Sequence, residues 1–144
     1  MEANSGGGLG RVLLCLGVLL FLLGLLTGFA VPALAQPRMG LSSHLEGLVN
    51  GLFLIAIGLV WPHLSLNRLW AAIAFALLVY GTFANWFATF LSAYWGAVGT
   101  MPLAGRGAHG TPIQEHIVFA LLVSLSFAMV GGCILLLAGL LPRK

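Results

Sequence analysis

VLLCLGVLLFLLGLLTGFAVPA, Val12–Ala33, decides the fold: 22 residues pass without one charged side chain. A bilayer core takes a helix of about 20 predominantly apolar residues. Arg11 in front and Ala33-Leu34-Ala35 behind give the stretch a likeness to a secretion signal, but a signal's apolar region runs to only about 7–15 residues. It is therefore read as a retained helix. Cys15 lacks the small preceding residue that a lipoprotein site needs.

Working outward, Gln36-Pro37-Arg38 is a short connector, and three further apolar runs follow. The expected spans are 12–33, 41–61, 69–92 and 113–141, after a flexible Gly- and Ser-rich N-terminus at 1–10. A long glycine-rich loop lies at 95–112. Pro112 suits the first turn of the last helix. Trp61, Trp70, Tyr94 and Trp95 fall at helix ends, where aromatic belts meet the headgroups. The expected fold is all-α: one polytopic membrane domain of four transmembrane helices in a bundle.

Composition agrees. Of 144 residues 60% are hydrophobic and 6% charged, against about 25% charged in soluble domains. The six Lys and Arg residues are scattered singly, so the formal charge of +3 makes no nucleic-acid patch. Cys15 and Cys133 show no metal or redox spacing and read as small apolar packing residues. No nucleotide loop, nucleophile elbow or zinc-protease motif is present. Arg11, Arg68, Arg143 and Lys144 fall on one side of the membrane and Arg38 and Arg106 on the other, which puts both termini in the cytoplasm.

Polar side chains inside a membrane usually mark function. The candidates are His44, Glu46 and Asn50 on the second helix, Asn85 on the third, and Glu115 and His116 on the fourth. From the Pro62–Asn67 turn, a rise of 1.5 Å per residue puts Asn50 about 17 Å and His44 about 25 Å deep, with Asn85 about 22 Å from Trp70. Helix four starts at the opposite face, so all six share the half of the bilayer nearest the long loop. Each has a plainer reading. His44 is near a helix start, Glu115 suits a helix N-terminus, His116 sits in a first turn, and Asn85 suits a bond between helices. Glu46 and Asn50 share a face at i,i+4, and Asn50 is the deepest polar residue of its helix. Gly47 and Gly51 form GxxxG, which serves close helix packing or makes room for a flat cofactor near His44. Tyr80, Phe83, Trp86, Phe87 and Phe90 face lipid or line a pocket for an aromatic substrate. His63 and His109 read as solvated loop residues.

Pro37-Arg38-Met39-Gly40-Leu41-Ser42-Ser43-His44-Leu45-Glu46-Gly47-Leu48-Val49-Asn50-Gly51, with Phe21–Ala35 before it, resembles the hydroxylaminobenzene mutases over most of the chain. More distantly, His44, Asn50 and Gly51 (His-x5-Asn-Gly), Pro62 and Ala84-Asn85 resemble the styrene oxide isomerase family of haem-dependent membrane isomerases. The resemblance implies isomerisation of a small aromatic hydroxylamine, hydroxylaminobenzene to 2-aminophenol, in the bacterial inner membrane. It implies haem b with His44 as axial iron ligand and Asn50 as a pocket residue; Gly47 and Gly51 are then the candidates to flank the cofactor, and Asn50, with Asn85 second, the candidates for catalysis. It also implies a homotrimer with haem near the subunit interfaces. The isomerases' Asp and Tyr on helix three correspond to Gly81 and Thr89, so those roles do not transfer and the substrate differs. Arg106 and His109 are the loop residues available to haem propionates.

The competing readings are a proton-coupled multidrug transporter using Glu46, a haem electron-transfer protein with His44 and His116 on one iron, and a scaffold without chemistry.

Overall fold

The computed structural model describes residues 5–101 and 107–141. Four helices carry the chain: α1 (Ser5–Ala30), α2 (Pro37–Val60), α3 (Arg68–Trp95) and α4 (Pro112–Leu140). Their 26, 24, 28 and 29 residues all exceed the roughly 20 that a bilayer core requires. The fold is an all-α membrane bundle.

The ends are set by local chemistry. Pro37 and Pro112 open α2 and α4, where a missing N–H costs nothing. Asn67 caps α3 by accepting the Trp70 N–H, and Thr111 with Gln114 forms a reciprocal capping box on α4. Gly96 ends α3 at φ 71°, a left-handed conformation that glycine adopts without strain. Short 3-10 turns at Val31–Ala33 and Trp61–His63, each holding a proline, end α1 and α2.

Three expectations change. Of the N-terminus expected to be flexible over 1–10, residues 1–4 lie outside the described residues, whereas Ser5–Gly10 continue α1. Leu9 and Gly10 pack this turn against Trp61 and Gly58, and no proline interrupts it. Trp61, read as a belt residue, is 3% exposed and sets its ring edge-on to Phe75 at 6.3 Å. Trp70 and Tyr94 do face outward. Cys15 and Cys133 are free and also face outward rather than packing inside.

The helices pack in a row. α1 lies along α2, α2 on α3, and α3 on α4, while α4 has no substantial contact with α1 or α2. The main core gathers Leu13, Leu20, Leu54, Trp61, Ala74 and Leu78 from the first three helices. A second cluster of Met39, Ala93 and Val98 seats the start of the long loop against the beginning of α2.

Candidate active site

α1 and α2 approach as closely as backbones allow. A β-carbon on Gly10 would come within 2.9 Å of the Gly58 carbonyl oxygen, one on Gly17 within 2.7 Å of the Gly51 oxygen, and one on Gly24 within 2.8 Å of the Gly47 carbonyl carbon. The space beside Gly47 and Gly51 is therefore filled by Gly24, Gly17 and Phe21 of α1. Of the two readings of the pair, helix packing is the one that this close approach supports.

That approach brings His44 to α1. Its Nδ1 lies 2.8 Å from the Gly24 carbonyl oxygen, at the end of α1 where Gly28 leaves room for the ring. A carbonyl can only accept, so Nδ1 carries the proton and donates, and in the neutral imidazole Nε2 keeps its lone pair free as a ligand. His44 thus fits a residue that would hold a haem iron through Nε2. Among the described residues no group of three or more His, Cys, Asp or Glu forms a multi-ligand metal centre.

Glu46, two residues on, leaves α2 on the side facing α3. Consecutive helical residues turn by about 100°, so His44 and Glu46 point to nearly opposite sides. Glu46 Oε2 accepts from Nδ2 of Asn50 at 3.0 Å and from Nδ2 of Asn85 at 2.6 Å. Three of the six candidate polar residues therefore meet in one cluster between α2 and α3. Glu115 is engaged elsewhere, accepting the backbone N–H groups of Gly99 and Gly110 and so fastening the long loop at both ends. His116 Nδ1 turns back to the Pro112 carbonyl of its own first turn at 2.6 Å. Arg106 lies outside the described residues.

Ala84 and Trp86, which flank Asn85 in sequence, line an open-sided apolar groove of about 380 Å³ together with Tyr80, Phe83, Phe87 and Leu121 of α4. Phe90 supports its wall, stacked on Trp86 at 5.8 Å. Tyr80 shares a 2.6 Å hydrogen bond with Ser124 across the two helices. Trp86 ties the groove to the histidine side. Its Nε1 donates to Thr27 Oγ1, its carbonyl accepts from Ser43, and its ring edge approaches Gly47. The sequence marks Trp86 only as an aromatic, and the Thr27 partner leaves no mark in it beyond one hydroxyl in an apolar run. At the two positions that depart from the isomerase pattern, Gly81 makes room for Met129 and Thr89 donates to carbonyls of its own helix.

The comparisons with known proteins agree with one another. The chain is 56% identical over 133 residues to hydroxylaminobenzene mutase HabB of Ectopseudomonas oleovorans, covering 92% of this chain and 81% of that protein. It is 48% identical over 126 residues to hydroxylaminobenzene mutase HabA of the same organism, covering 87% of this chain and 93% of that protein. No solved structure matches. The family model for styrene oxide isomerase matches residues 9–141, and the chain belongs to the styrene oxide isomerase family.

Proposed function

We propose that the protein is a membrane-embedded mutase that converts hydroxylaminobenzene to 2-aminophenol, with haem b held by His44. The observation that carries the cofactor assignment is the His44 imidazole, fixed through Nδ1 on the Gly24 carbonyl with Nε2 left as a ligand atom. The substrate is supported by the identity to HabB and HabA.

The reaction moves a hydroxyl from nitrogen to the ortho carbon; that carbon loses its hydrogen as a proton and nitrogen gains a proton, with no net electron change. Haem iron, when bound, supplies a Lewis acid that stabilises charge developing on oxygen as the N–O bond breaks. The chain supplies the rest. The groove between α3 and α4 takes an aromatic ring from the bilayer, and its apolar walls keep bulk water away from the electron-poor ring. Asn50 and Asn85 orient the hydroxylamine group. His44 turns to α1, whereas Glu46 and the two amides gather between α2 and α3, which fits a homotrimer whose haem sits near the subunit interfaces, so that a site is shared between neighbouring copies. The membrane is the bacterial inner membrane, with both termini cytoplasmic.

The test is the visible spectrum of detergent-purified protein from haem-replete cells, ferric and dithionite-reduced, beside His44→Ala. A haem band in the wild type that is lost in the variant, with 2-aminophenol formed only by the wild type, is expected. A colourless wild type, or a variant keeping both haem and full activity, overturns the assignment.

A further inference from the structure

Glu46 has no task in the reaction as described, yet the buried amide of Asn50 and the half-buried amide of Asn85 are turned toward it. A carboxylate oxygen accepts and an amide has one donor end and one acceptor end. Because Nδ2 of both Asn50 and Asn85 is committed to Glu46 Oε2, both Oδ1 atoms face away from it. Asn50 is only 6% exposed. Among the described residues neither Oδ1 has a hydrogen-bond partner, and no side-chain nitrogen or oxygen is sealed inside the protein without one. Both amide oxygens are therefore unpartnered and reachable. An acceptor in apolar surroundings is costly to leave unmatched, so the pair favours a ligand that brings donors.

We propose that Glu46 is a positioning residue that locks Asn50 and Asn85 with their carbonyl oxygens outward, making the site selective for small aryl ligands that carry N–H or O–H donors. The inference rests on the mutase reading and deepens it. Hydroxylaminobenzene brings both an N–H and an O–H, whereas an aryl epoxide, the substrate in the family's name, brings only an acceptor oxygen. A site built to bond a substrate's O–H or N–H rejects analogues that lack it far more strongly than an apolar pocket rejects a misfit. Glu46 thereby separates this chain's substrate from the epoxide through the orientation of two side chains rather than through the shape of the groove.

Benzyl alcohol and anisole are isomers of similar size, one with a hydroxyl donor and one with only an ether acceptor. Their equilibrium binding to the detergent-purified, haem-loaded protein is measured by calorimetry, with hydroxylaminobenzene turnover recorded in parallel. The wild type is expected to bind benzyl alcohol at least about tenfold more tightly than anisole, a difference of about 1.4 kcal/mol. Glu46→Gln keeps that preference, because its side-chain carbonyl accepts from the same two amides. Glu46→Leu, with helix content unchanged by circular dichroism, brings the ratio near one. A wild-type ratio near one, a ratio lost in Glu46→Gln, or a ratio undiminished in Glu46→Leu overturns the proposal. If Glu46→Leu does not fold, the wild-type and Glu46→Gln ratios decide alone. Turnover with a flat ratio sinks the Glu46 assignment and leaves the mutase reading standing. The expected ratios without turnover sink the mutase reading and leave the donor preference.

Discussion

Gly28 is set where a β-carbon would meet His44 Nδ1 at 2.7 Å and Cε1 at 3.0 Å. The three atoms nearest the added carbon all belong to the His44 ring, so the imidazole itself must move. Gly28→Ala is therefore expected to lower the haem content per subunit, measured as pyridine haemochrome, while helix content stays at the wild-type level. Trp86 gives a milder case. Trp86→Phe keeps an aromatic wall but removes the indole hydrogen bond to Thr27, and bonds of this kind between membrane helices average about 0.6 kcal/mol. A loss of thermal stability of that size, with turnover reduced severalfold at most, is the expected result. At this scale much of the candidate site is legible in the sequence. His44, Glu46, Asn50 and Asn85 stand out because each is polar in an apolar run. Their partners were not legible, since Gly24 offers only a backbone carbonyl and Thr27 a lone hydroxyl.

The seam between α1 and α2 belongs to the scale of elements. Gly10, Gly17 and Gly24 recur every seven residues, a spacing that returns to one face of a helix with a drift of only about 20°. They meet Gly58, Gly51 and Gly47 in turn. Gly47→Ala would drive its new carbon into Gly24 Cα, and overpacking of this kind costs about 1–3 kcal/mol. A clear drop in the detergent melting temperature is expected. Gly8→Ala is the control, because nothing lies within 4 Å of the added carbon, and a neutral or slightly stabilising effect is expected there. The length of each apolar run made the four helices readable. The direction each residue faces was harder to read. Trp61 has the right depth for a headgroup belt, but its azimuth turns it onto Phe75. The GxxxG on α2 announced a close neighbour without saying that α1 was that neighbour.

Across the whole molecule, the two described ends of the connection between α3 and α4 are fastened at one end of the row of helices by Glu115, which accepts from Gly99 and Gly110. Hydrogen bonds to a charged group contribute about 1.5–3 kcal/mol each. Glu115→Ala is expected to open the loop to limited proteolysis while leaving the bound haem spectrum unchanged, a result that would separate this carboxylate from the one on α2. The sequence placed Glu115 at the right depth beside His44, but equal depth is not contact, and the residue serves the loop. The glycine seam has one more consequence, in the order of synthesis. His44 and its partner Gly24 both lie within the first two helices, so the histidine can take its final orientation as soon as that hairpin has left the ribosome. Asn85 and the aromatic groove belong to helices not yet translated. In the proposed haem site, the half that holds His44 is thus complete before the half that holds Asn85 exists, and the nascent hairpin already carries the nitrogen that would hold the cofactor.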